Sequence, residues 1–215
     1  MRNLCVMLAA VVGSFLPCGL VRGNLTFSFY VNQPNYDVLP NHSIDVPVYL
    51  QEAVTYPDVS LLLAEDGLFS AGVLVQRTAS SLSQPVVIAD ASANETDFDD
   101  LPATINVADD EASIFEMRDL GQISGVLADE TFSGSGVRHI LLGTFTLMGG
   151  ATAGEVTTFQ VTDNITDDTR TWTSFTLLDK DIYSTSFTVT VVPVPSSILL
   201  CITGLFTIVL RRRGL

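Results

Sequence analysis

Hydrophobic and polar residues alternate with a period of two through most of the middle of this chain. Leu25, Phe27, Phe29 and Val31 fall on one face and Thr26, Ser28 and Tyr30 on the other, as in a half-buried strand. Ile44, Val46, Val48 and Leu50 repeat the pattern around Pro47. Proline has no ladder N–H, which predicts an edge strand or an outward-facing Pro47. Leu61 to Leu63 and Ala71 to Val75 flank Asp66-Gly67, a tight-turn pair between strands. Pro85 to Ala89, Thr104 to Val107, Val156 to Val161, Thr171 to Leu178 and Ser184 to Val192 read as further strands. The strongest is His139 to Met148, where Gly143 predicts a bulge or a close-packing point. Asn32 to Asn41 reads as a turn region and Asp90 to Asp100 as a loop. Only Asp109 to Met117, opening on three acidic residues, predicts a short helix. Short strands with turn signals about every 8–12 residues predict an all-β fold, a single antiparallel β-sandwich over residues 24–192, without internal repeats.

The pattern changes at both ends. Arg2 and the apolar run Leu4 to Leu16, broken by Pro17 to Gly19, predict a secretory signal helix over residues 1–23, cleaved after Gly23. Pro17 before Cys18 argues against lipoprotein processing. Residues 193–215 begin Pro193-Val194-Pro195 and continue into an apolar helix over about 196–210, ending at Arg211, Arg212 and Arg213. That helix reaches about 22 Å, short of the roughly 30 Å of a bilayer's hydrocarbon core. The arginines predict a cytoplasmic C-terminus and an outward-facing body. A glycolipid-anchor signal would lack such a basic stop.

Removing the ends sharpens the chemistry of the body. Cys5, Cys18 and Cys201 all lie in the terminal segments, so the body has no disulfide, no cysteine-bound metal and no thiol redox motif. It must be stabilised by its core alone. Five basic residues face all 24 acidic ones, a body charge of −19. Such a surface repels phosphate backbones and excludes nucleic acid as a partner.

No nucleophile elbow is present, and the two histidines, His42 and His139, have neither zinc-type spacing nor a recognisable catalytic partner. No catalytic residue and no organic cofactor is predicted. Acidic clusters at Asp97, Asp99 and Asp100, and at Asp163, Asp167 and Asp168, carry the hard oxygen ligands that calcium uses, without the EF-hand pattern. The simpler reading is a set of solvated acidic loops. Trp172 with Tyr183 and Tyr56 could stack on a sugar, or Trp172 could be core. Asn24, Asn41, Asn94 and Asn164 each begin an Asn-x-Ser/Thr triplet.

The C-terminal layout of Pro-x-Pro, short apolar helix and arginine cluster resembles the PEP-CTERM sorting signal of bacteria. The resemblance implies recognition by an exosortase-type membrane protease. It also implies export, a membrane-anchored precursor held by the terminal helix, and a destination in the cell envelope or extracellular matrix, often with exopolysaccharide. Val194 stands where the family has glutamate, so the alternative outcome is a chain that stays anchored. In the body, SIDVPVYLQE, DGLFSAGVLVQ and GVRHILLGTFTLMG are similar in texture to cohesin-like and carbohydrate-binding jelly rolls. The expected function is a non-catalytic structural or adhesive sandwich. The alternative is a carbohydrate- or dockerin-type binding module meeting polysaccharide or another surface protein, and last an extracellular hydrolase.

Overall fold

The structure is a computed structural model that describes residues 24–55, 58–98, 102–127, 136–164 and 166–194. The predicted signal segment, Pro195, the terminal helix and Arg211 to Arg213 lie outside these residues. Among the described residues no helix is long and apolar enough to cross a membrane.

Two sheets enclose one core. The first runs β11 (Ile182–Tyr183), β1 (Asn24–Val31), β3 (Ser43–Thr55), β8 (Val137–Met148) and β5 (Val87–Ala93). The second runs β2 (Asn35–Val38), β12 (Thr185–Val191), β9 (Val156–Thr162), β4 (Leu68–Ser80), β7 (Glu111–Met117) and β6 (Thr104–Val107), with β10 (Arg170–Thr171) paired to β4. The predicted all-β sandwich is present, but its pairing is mixed. β1 with β11 and β2 with β12 are parallel, because the chain returns to each sheet edge from the opposite sheet.

Alternation places Phe27, Phe29, Val46, Val48, Leu50, Phe145, Leu147, Phe159, Phe187 and Val189 in the core, each at most 3% exposed. Pro47 does not mark an edge: β3 is the central strand of its sheet. The β1 ladder stops at Val48, so Pro47 has a strand partner only on the β8 side, at Thr144. The register with β3 slips between Leu141 and Gly143, which leaves Leu142 as a bulge. A Cβ on Gly143 would lie 2.6 Å from Ile114 Cδ1 of the facing sheet and 2.7 Å from the Ser92 carbonyl oxygen. Close packing and bulge therefore coincide there.

Five predicted elements differ. Leu61–Ala64, expected as a strand before the Asp66-Gly67 turn, is a helical turn, and Asn35–Val38, inside the expected turn region, is strand β2. The helix expected over Asp109 to Met117 is strand β7, with Ala112, Ile114 and Glu116 facing inward in strict alternation. Glu116 disguised the period, because a core-facing position carries a carboxyl group. β5 runs on to Ala93, into the expected acidic loop. The strand expected over Thr171 to Leu178 pairs with β4 only at its start, then turns, with Phe175 left-handed at φ 51° and Leu177 bridging back to Arg170.

The single α-turn among the described residues, α1 (Leu61–Ala64), lies on the β3 to β4 crossover. Ser60 caps it by accepting from Leu63 N–H. Glu52, wholly buried on β3, accepts from Leu61 N–H at 2.6 Å, Leu62 N–H at 3.1 Å and the Ser60 hydroxyl at 2.5 Å. Gly67 at φ 95° then closes the turn, with no room for a Cβ beside the Val126 carbonyl. Glu52→Ala strands three donors at this crossover and is expected to cost about 2–4 kcal/mol, read from urea unfolding of residues 24–192. A loss within experimental error would remove Glu52 as the anchor of this crossover.

Candidate functional site

The 170–178 segment folds over the end of the second sheet and is held by more bonds than a surface loop needs. Trp172 N–H donates to the Gly67 carbonyl, Thr173 N–H to the Glu65 carbonyl, and Ser174 N–H to Glu65 Oε2 at 2.8 Å. Thr171 and Thr176 bond each other through both backbone and hydroxyl, and an Arg170 guanidinium N–H donates to the Phe175 carbonyl. Arg170 also pairs with Asp168, which holds the Asp168 carboxyl below its usual range.

These bonds fix Phe175 in a left-handed conformation that an aromatic residue rarely takes, at a cost of about 1–3 kcal/mol. The result is an aromatic shelf. The Phe175 ring meets Phe69 edge-on at 4.9 Å, and Trp172 tilts against Phe69 at 6.1 Å. Phe175 is 43% exposed, Phe69 and Trp172 are half-buried, and Thr173 and Ser174 are exposed at the rim. A rigid apolar surface edged by hydroxyls and the Glu65 and Asp66 carboxyls suits stacking on the apolar face of a sugar or a planar group. Trp172 is thus half-buried at the shelf instead of core, and its ring contact is with Phe69. Tyr183 stands on β11, and Tyr56 lies outside the described residues. Phe69 and Phe175 escaped the sequence reading because one sits in a strand pattern and the other was assigned to a strand that does not form.

The acidic candidates disperse into separate roles. Asp97 Oδ2 accepts from Asn94 Nδ2 at 2.7 Å, and Asp167 Oδ2 accepts from Asn164 Nδ2 at 2.6 Å. In both turns the aspartate N–H also donates back to the asparagine carbonyl, so Asn94 to Asp97 and Asn164 to Asp167 share one Asn-x-Thr-Asp design. Asp163 and Asp168 lie near Asp179, whose Oδ1 accepts from Thr169 N–H at 2.7 Å. Asp99 and Asp100 lie outside the described residues. Among the described residues no group of three or more His, Cys, Asp or Glu side chains could hold a metal ion. His42 Nδ1 bonds the Pro40 carbonyl, and His139 stacks on Tyr30 at 4.6 Å while its Nε2 bonds Gln51 Oε1.

Two further glutamates are buried for structural work. Glu116, 4% exposed, accepts from Asn94 N–H through Oε1 at 2.8 Å, while its Oε2 is buried without a hydrogen-bond partner among the described residues. Glu155, wholly buried, accepts from Ser81 N–H and the Thr157 hydroxyl, and that hydroxyl in turn accepts from Val86 N–H. Burial pushes Glu116 up to about 8, aided by nearby Glu95 and Asp97. It pushes Asp163 up to about 7, aided by Asp179 and Asp168.

The chain matches no family model and no curated protein. Among solved structures it is similar to the third cohesin of ScaC from Acetivibrio cellulolyticus, solved in complex with the ScaB dockerin. That likeness has 13% identity and a TM-score of 0.47, and covers 79% of this chain and 99% of the cohesin. It is also similar to BcpA, the major pilin subunit of Bacillus cereus, at 6% identity and a TM-score of 0.28 over 81% of this chain and 40% of the pilin.

The two raised carboxyl groups set a pH dependence. Each is protonated in the fold at a pH where the unfolded chain has already lost that proton. Their contribution is complete below the ordinary carboxyl range and is lost as pH rises through about 7 for Asp163 and about 8 for Glu116. The melting temperature should fall between about pH 5 and pH 9, and Glu116→Gln, which keeps the acceptor for Asn94, should flatten much of that fall. An unchanged slope in the variant would show that Glu116 is not the group that titrates.

Proposed function

We propose that this chain is an exported, non-catalytic binding or adhesive sandwich that works at the cell envelope or in the extracellular matrix. The observation that carries the reading is the aromatic shelf of Phe69, Trp172 and Phe175. It combines backbone strain at φ 51°, exposure of 43% at Phe175, and a frame of hydrogen bonds that stabilises the strained form. Strain held in place on an exposed ring is a feature of binding sites rather than of packing. The buried glutamates support the same reading, since Glu52, Glu116 and Glu155 all bond backbone N–H groups.

The ligand class that fits is a polysaccharide, with a sugar face on the rings and hydroxyls meeting Thr173, Ser174 and Glu65. Delivery is by the signal segment and by exosortase-type handling of the C-terminal sorting signal. Pro193 and Val194, both exposed directly after β12, support access of a protease to that entry.

Two experiments test these halves separately. On a glycan array the body should bind polysaccharide, and Trp172→Ala or Phe175→Ala should weaken that binding about tenfold, roughly 1.4 kcal/mol, with little change in melting. Binding that survives both substitutions would clear the shelf of any role. Mass spectrometry of the chain from its native host should find a mature C-terminus near Pro195. Chains ending only at Leu215 would leave the protein a membrane-anchored one.

A further inference from the structure

Among the described residues, β1 forms an edge that the fold leaves largely open. Its eight residues all pair with β3 on one side, whereas on the other β11 pairs only at Phe27 and Ser28. An unpaired strand edge presents N–H and C=O groups to any chain that can align with it, and proteins normally block such edges with charge or proline. The sequence of β1, NLTFSFYV, contains neither. The other long-paired edge strands carry or adjoin acid: β5 contains Asp90, β2 contains Asp37, and β6, only four residues long, is followed closely by Asp109 and Asp110.

A groove of about 320 Å³ lies along the open part of β1. Its walls include Leu25 and Phe27 of β1, Leu61 of α1, Leu177 and Leu178 of the 170–178 segment, and Asp181. Leu25, Leu61 and Ile182 already pack against the core, so the groove continues the core outward instead of sitting apart from it. Leu177 is 39% and Tyr183 64% exposed at its rim. Among the described residues Asp181 is the one charged residue on the wall, and the body around it carries −19.

We propose that this groove takes an extended, basic segment of a partner polypeptide, added as a strand on the free edge of β1. Period two then decides the segment's character. Side chains facing the sandwich lie beside Leu25 and Phe27 and are apolar. Those facing out lie in the field of Asp181 and the acidic body, and are lysine or arginine. This goes beyond the polysaccharide reading: none of Phe69, Trp172 and Phe175 lines the groove, so a glycan result for or against the shelf leaves it untouched.

The test uses the full chain in mild detergent with a labelled synthetic peptide alternating lysine and valine, and a second alternating glutamate and valine. Fluorescence anisotropy should show the lysine peptide binding at least about tenfold more tightly. Amide hydrogen exchange should slow at residues 24–27. Asp181→Asn should cut the preference for lysine several-fold, and Leu177→Glu should weaken both peptides. Equal binding of the two peptides, no binding, or protection confined to Thr104–Val107 would each overturn the proposal. So would full retention of the preference in Asp181→Asn.

Discussion

The sandwich depends on buried carboxyl groups that grip backbone N–H groups where the chain crosses between sheets. Glu52 holds the β3 to β4 crossover, Glu155 the β4 to β5 crossover, and Glu116 the start of the β5 to β6 crossover. Most of the remaining connections also change sheet. A crossing segment leaves the ladder of one sheet before joining that of the next, so its N–H groups need partners from elsewhere. In many exported domains disulfides stabilise such connections. The body has no cysteine, and hydrogen bonds accepted by inward-facing glutamates take that role.

The same device explains what could be read in the sequence. The strands were legible wherever both faces obeyed the period, as in β1, β3, β8 and β12. β7 was misread because Glu116 looks like a surface residue in any pattern of apolar and polar positions. The glutamates' partners lie 8, 22 and 74 residues away, at Ser60, Asn94 and Ser81, too far for local spacing to reveal. The candidate site divided similarly. Trp172 was visible as the only tryptophan, but its ring partner Phe69 is brought to it by the turn at Gly67. Phe175 owes its exposure to a backbone angle that its residue type does not announce.

The acidic clusters show how composition misleads in the other direction. Asp97 and Asp167 suggest cation ligands when counted along the chain, yet each carboxyl group accepts from an asparagine amide. The strongly negative body is therefore an assembly of separate duties: turn closure at Asp97 and Asp167, an arginine partner at Asp168, and crossover anchoring at the buried glutamates. What is left on the outside is a general field that favours positively charged company.

The paired Asn-x-Thr-Asp turns have a consequence for covalent modification. Asn94 and Asn164 stand in acceptor triplets for N-linked sugars, but both are buried, at 9% and 8% exposure, with their amide nitrogens donating to Asp97 and Asp167. Asn24 and Asn41 are exposed. In a secretory pathway that attaches glycans, the four acceptor triplets thus fall into two classes. Two stay open on the finished molecule, and two can be reached only while the chain is still unfolded. The number of sugars on a mature molecule would record which came first, the transferase or the turn.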